Sequence, residues 1–191
     1  MSPADPQTRW AREIAAALAR HGIEHVVVSP GSRSTPLVLA VSERDDLAVQ
    51  VVVDERSAGF VALGRARVTG EPAALLCTSG SAGTHYHPAV VEASRAGLPL
   101  LAITADRPEE LHGRDAPQTI DQRRLFGDHV RAAVELGSVP ADEPALRAAG
   151  ETVARALAVT RSPEPGPVHL NVRFRKPFEP PMHAPPPPAA E

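Results

Sequence analysis

The segment Ser29-Pro30-Gly31-Ser32-Arg33-Ser34-Thr35-Pro36 gathers hydroxyls, a guanidinium and turn-forming residues directly after an apolar run. Gly31 allows a tight turn, and Pro36 can open a helix with Ser34 or Thr35 as its cap. Hydroxyls, backbone N–H groups at a helix start and one arginine make a seat for a carboxylate or phosphate. The alternative is an ordinary capped turn with Arg33 in solvent. Asp54-Glu55-Arg56-Ser57 also follows an apolar run. Glu55 either complements the dipole of the helix it begins or, beside Ala58, Val61 and Ala62, is a partly desolvated carboxylate able to share a proton with a ligand nitrogen. Thr78-Ser79-Gly80-Ser81-Ala82-Gly83-Thr84 carries no bulky side chain, so a flat ligand can approach its backbone and meet exposed N–H donors. In Thr104-Ala105-Asp106-Arg107-Pro108, Arg107 is placed to grip a carboxylate bidentately, or else to pair with Asp106, Glu109 or Glu110. A polar stretch from Glu109 to Asp121 follows, carrying Arg114, Gln118 and Thr119.

Other chemistries fail on pattern. The small-residue segment is neither a Walker loop nor a dinucleotide fingerprint, and it lacks the spacing of a nucleophile elbow. His85-Tyr86-His87 has no further ligand set and reads as a surface feature of a helix start, so no metal site is assigned. Cys77 is the only cysteine, which rules out an internal disulfide.

These segments need elements to hold them. Asp5-Pro6 supplies a cap and a first-turn proline for a helix that carries Trp10, Ile14, Ala17 and Leu18 and ends near His21-Gly22. Strand-like runs at 25–28, 49–53, 73–78, 98–104, 130–136 and 168–172 alternate mostly with helical patterns, including 55–68, 84–96 and 144–159. Leu146, Ala149, Val153 and Leu157 mark one face of the last helix. Continuous apolar strands with connections long enough to cross over predict an α/β fold: a doubly wound, mainly parallel sheet with helices on both faces. Such sheets bind ligands at the carboxyl ends of their strands, where all four segments fall. No internal repeat is present. From Pro177 onward, seven prolines in fifteen residues preclude a helix or central strand. The expected division is a folded domain over 1–176 and a Pro-rich linker or tail over 177–191.

The chain has 191 residues, 42% of them hydrophobic, enough for one core. Its 20 basic and 23 acidic residues leave a net charge of −3, which disfavours a sequence-blind grip on nucleic acid. Lys176 is the only lysine, a skew that goes with abundant alanine and carries no functional reading. No apolar run approaches the ~20 residues of a membrane span, and MSPADPQTRW is unlike a signal peptide. A soluble, cytoplasmic protein without membrane insertion is expected.

Taken together, SPGSRSTPL, VVVDERSAGFVALGRA, CTSGSAG followed by Tyr86-His87-Pro88-Ala89, PLLAITADRPEEL and QTIDQRRLFGDHVR resemble the N-terminal, pyrimidine-binding domain of the 2-succinyl-5-enolpyruvyl-6-hydroxy-3-cyclohexene-1-carboxylate synthase family. The likeness covers roughly residues 8 to 175, and five blocks in order are more specific than any one of them. It implies the thiamine-diphosphate-binding fold and a transferase of menaquinone biosynthesis. That enzyme decarboxylates 2-oxoglutarate on thiamine diphosphate and adds the succinyl unit to isochorismate.

By the same resemblance, Glu55 stands where the family's glutamate bonds the aminopyrimidine nitrogen and favours the imino tautomer. Thr78, Ser79 and Gly80 stand in the cofactor loop, and Ser32, Arg33, Arg107 and Gln118 stand in the substrate pocket. Two positions depart: Pro117 replaces an asparagine, and His85 replaces another. The resemblance further implies magnesium and a diphosphate-binding domain from a full-length or partner chain, in a homo-oligomer. This chain carries no residues for that magnesium and diphosphate, so alone it is expected to be inactive. The alternative is a non-catalytic anion-sensing or dimerisation module derived from the same domain.

Overall fold

A computed structural model of the chain describes residues 5–137 and 142–179. Helix α1 (Pro6–Arg20) starts as its residues require, with the Asp5 carboxylate accepting the Thr8 N–H at 3.2 Å and proline in the first turn. Trp10, Ile14, Ala17 and Leu18 form its buried face. There follow β1 (His25–Val28), a 3₁₀ turn (Ser32–Ser34), α2 (Thr35–Ser42), β2 (Ala48–Val51), α3 (Glu55–Thr69), β3 (Ala73–Cys77), α4 (Ser81–Thr84), α5 (His87–Ala96), β4 (Leu100–Asp106), β5 (Ala132–Leu136), α6 (Glu143–Arg161) and β6 (Pro167–Arg173).

All six strands pair in parallel, in the order β2-β1-β3-β4-β6-β5. Alternation divides the core. Val26, Val28, Leu76, Leu101, Ile103 and Leu170 face a layer built from α1, α2 and α6, whereas Val27, Leu75, Cys77 and Ala102 face α3, α5 and Phe126. Helices on both faces explain why the central strands read as continuous apolar runs.

The edges behave differently. The strand expected at 49–53 spans Ala48–Val51 and is largely exposed, with Val51 at 61% and Val53, just beyond it, at 77%. It has a neighbour on one side only, so hydrophobicity there did not mean burial. At the other edge, β5 begins two residues later than expected and buries only Leu136 fully. The helix expected over 84–96 is two helices, with His85 and Tyr86 between them and Pro88 in the first turn of the second. Ser34 precedes α2 yet does not cap it: its helical backbone turns the hydroxyl back to donate to the Gly31 carbonyl at 2.8 Å. The last strand continues into packed chain past the expected boundary at 176, since Phe178 is buried in the same core as Trp10 and the Pro177 carbonyl accepts from Gln7 Nε2 at 2.9 Å. The remainder of the Pro-rich segment, from 180, lies outside the described residues.

Helix α3 meets the sheet through Ala58, Ala62 and Ala66, all fully buried. Gly59 faces α5 so closely that a Cβ would lie 2.9 Å from that of Ala89. There is no room for larger side chains, and the small face holds Glu55 close to the sheet edge. Ala62→Leu is therefore expected to lower stability by about 1–3 kcal/mol in urea unfolding.

Candidate functional site

The strand order reverses at β1/β3 and again at β4/β6, and the chain leaving each of those strands opens on the carboxyl edge of the sheet. At the first reversal the loops touch: a Cβ on Gly31 would sit 2.5 Å from the Thr78 Cβ, so only glycine fits there. The turn exposes Ser32 and drives Arg33 inward to 8% exposure. Arg33 is thus not in solvent, and it has no ion pair among the described residues. Its Nη1 donates to the Phe174 carbonyl at 2.5 Å, its guanidinium stands 4.7 Å from the centre of the Phe178 ring, and its buried Nε has no partner. Burial first, and then neighbouring Arg107, lower its pKa to about 10.

At the second reversal lies a cleft of about 530 Å³, lined by Arg33, Arg107, Glu110, Pro117, Arg175 and Lys176 among others. Arg107 is 7% exposed, and burial lowers its pKa. It makes none of the acid pairs considered for it. Its guanidinium donates to Ser79 Oγ and to the Pro117 carbonyl, while Asp106 instead accepts its backbone N–H at 2.7 Å. Glu110 is committed to Arg175 through two bonds of 2.7 and 2.9 Å, which hold its pKa down to about 2. Among the described residues Arg33, Arg107 and Lys176 have no ion-pair partner. Such a cleft has an unmet demand for anionic groups. Arg175 was not singled out in the sequence and Lys176 was noted only as the single lysine, because both follow the last apolar run with no motif around them.

The loop after β3 differs from expectation. Two of its backbone groups are already engaged within the chain: Gly80 N donates to Gln122 Oε1 at 2.8 Å, and the Ser79 carbonyl accepts Gln118 Nε2 at 3.0 Å. Gly80 has φ +81°, and a Cβ there would lie 2.9 Å from the Gln118 carbonyl oxygen. Gln118, itself at φ +56°, therefore braces the loop. The loop thus has a pre-set small-residue surface in which the Gly80 N–H is not a free donor.

Glu55 begins α3 at the far side of this edge and does not line the cleft. Its carboxylate is half-buried and makes no hydrogen bond or ion pair among the described residues, because Asp54 takes the capping role by accepting the Ser57 N–H at 2.7 Å. An acid left without a partner in its own chain is suited to bind a ligand nitrogen. The His87 ring packs at a tilt against Phe126 and edge-on against His129, with ring centres 6.0 and 5.3 Å away.

Beneath the loops runs a buried polar network that sequence reasoning missed. Asn171 Nδ2 donates to Asp106 and Glu135 at 2.9 and 3.1 Å, so its Oδ1 accepts, from Thr104 at 2.7 Å and from Gln122 at 2.9 Å. With its proton used there, the Thr104 oxygen must accept from His169 Nε2 at 2.8 Å, which assigns the proton to Nε2 and leaves Nδ1 buried and unpartnered. Gln122 ties this network to Gly80. The available signal was His169 and Asn171 two apart in an apolar run, which places both on one face of β6.

A parallel α/β domain whose loops gather at one sheet edge, among the described residues, two arginines without acidic partners and a carboxylate without a partner has the architecture of a domain that binds ligands at that edge. Residues 8–125 match the family described as thiamine pyrophosphate enzyme, N-terminal TPP binding domain, and the chain belongs to that family. It is similar to proteins named 2-succinyl-5-enolpyruvyl-6-hydroxy-3-cyclohexene-1-carboxylate synthase from Haloarcula marismortui (51% identity, 94% of this chain, 30% of the relative), Sorangium cellulosum (51%, 94%, 29%) and Chloroflexus aurantiacus (54%, 91%, 29%). The chain spans about 30% of the length of these relatives.

Burial lowers the His169 pKa to about 4. The unfolded chain protonates this group below about pH 6.5 while the fold keeps it neutral, so the unfolded state binds more protons between pH 6.5 and 4. The stability tied to neutral His169 is present in full above that window and is lost as the pH falls through it, by an amount of the order of 3 kcal/mol. Chemical unfolding across pH 4–7 should show this slope, and His169→Gln should flatten it.

Proposed function

We propose that this chain forms the pyrimidine-binding side of a 2-succinyl-5-enolpyruvyl-6-hydroxy-3-cyclohexene-1-carboxylate synthase, a cytoplasmic transferase of menaquinone biosynthesis that acts on 2-oxoglutarate and isochorismate. The observation that carries this reading is Arg33, a buried guanidinium with an unpartnered Nε, set beside Arg107 in a cleft whose Glu110 is already paired. Relatives bearing that name at 51% identity over 94% of the chain support it.

In this reading Arg33 and Arg107 hold and orient the carboxylates of isochorismate, and the exposed hydroxyl of Ser32 adds a hydrogen bond at the same edge. Gln118 acts by bracing Ser79, whose hydroxyl fixes the Arg107 guanidinium. Glu55 holds a proton against the aminopyrimidine nitrogen, and its lack of an internal partner suits that task. Thr78, Ser79 and Gly80 give a flat ring a surface without bulk. Thiamine diphosphate, when bound, supplies the electron sink for loss of carbon dioxide from a 2-oxo acid. Magnesium and the diphosphate are assigned to the part of the relatives that this chain does not span, brought to Glu55 by the diphosphate-binding domain of a full-length or partner chain in a homo-oligomer. Among the described residues no helix is long and apolar enough to cross a membrane.

Two measurements test the reading. Calorimetric titration of the chain with isochorismate should show binding without turnover, and Arg107→Ala should weaken it about tenfold, the loss of one charge-assisted partner. Unchanged affinity would remove Arg107 from the pocket. A chimera carrying this chain in place of the matching segment of the Haloarcula marismortui relative tests Glu55. There Glu55→Gln should leave cofactor affinity nearly intact and slow proton exchange at the thiazolium carbon about a hundredfold or more. Equal exchange rates would return Glu55 to complementing the helix dipole.

A further inference from the structure

Arg33 is buried without a carboxylate, so whatever fixes its guanidinium also fixes the anion site. Two groups do so, and both come from the chain leaving β6: the Phe174 carbonyl, 2.5 Å from Nη1, and the Phe178 ring, 4.7 Å from the guanidinium carbon. We infer that Phe178 is a positioning residue for Arg33, so that the docking of the segment after β6 sets the anion affinity of the cleft; this rests on the anion reading given above.

The segment is held as a unit. Phe174 N donates to the Asp106 carbonyl at 3.0 Å, and Phe174 is fully buried. The Gln7 side chain spans the middle, accepting the Arg175 N–H at 2.6 Å and donating to the Pro177 carbonyl at 2.9 Å. Phe178 then enters the core between α1 and the β1 loop at 8% exposure. In this position an aliphatic side chain would keep most of the apolar contact but present no negative face to the cation. A desolvated guanidinium with one neutral acceptor needs that face, since each missing partner leaves charge uncompensated. Neighbouring Arg107 adds repulsion, which Asp106 only partly offsets. Without the ring, Arg33 has reason to swing toward solvent and leave the cleft, and a carboxylate then meets a site that must first be ordered.

The test compares shape with π character in the 191-residue chain. Phe178→Leu keeps an apolar side chain, Phe178→Tyr keeps the ring, and Phe178→Met replaces the Leu variant should that one fail to fold. The probe is isophthalate, a stable dicarboxylate, titrated calorimetrically, with thermal unfolding run in parallel. The Leu or Met variant is expected to bind about tenfold more weakly, while Tyr stays close to the parent. A second readout needs no ligand. Hydrogen exchange of the Arg33 Nε–H, followed by NMR, should be slow in the parent and the Tyr variant and fast in the Leu or Met variant. Equal exchange in all of them would overturn the inference, as would isophthalate affinities that track stability alone. Should the parent itself fail to bind isophthalate, the anion reading falls, and the exchange rates still decide whether Phe178 holds Arg33.

Discussion

Parallel pairing constrains everything else in this domain. Each strand must be re-entered from the same end, so every chain segment that leaves a strand does so at one edge, and the connections must cross back over the faces as helices. Five stretches of sequence far apart in the chain, after β1, β2, β3, β4 and β6, are thereby brought to one rim by the topology, where their side chains then meet. The two reversals of strand order divide that rim. One brings the β1 and β3 loops together at Gly31 and Thr78, and the other opens the cleft between Arg107 and the segment after β6.

The electrostatics of the rim follow from what is left unpaired. Several arginines nearer the surface have acidic partners: Arg12 with Glu43, Arg44 with Asp46, Arg123 with Asp121. Arg33 and Arg107, both nearly buried, are held by carbonyls, a hydroxyl and an aromatic ring. Neutral partners orient a guanidinium without cancelling its charge, so its field stays available to an incoming anion.

Rigidity is supplied from below. The chain from His169 through Thr104, Asn171 and Gln122 to Gly80 is a set of short bonds in a site sealed from water, where each partner lost would strand another. It connects the ends of β4 and β6 to the β3 loop, and so ties the two halves of the rim. Asp106 serves the same purpose by receiving Asn171 and the Arg107 backbone, which is why it does not neutralise the arginine side chain that follows it.

Much of this was legible in the residues. The α1 cap at Asp5, the buried central strands and the helices between them follow from local propensity and from apolar continuity, which act within a few residues and survive without context. The segments after the strands could be identified as the chemically interesting ones for the same reason. The partners of their side chains could not be read in this way. Whether Arg107 meets Glu110 or Ser79, whether Gly80 N–H is free, whether Val51 is buried, and whether a proline-rich exit packs a phenylalanine against Arg33 all depend on residues tens to more than a hundred positions away. Sequence alone determined the parallel α/β layering, since burial on both faces imposes its pattern locally. Only the tertiary structure decided which charges stay unpaired, because pairing is a matter of distance in space and spacing along the chain does not encode it.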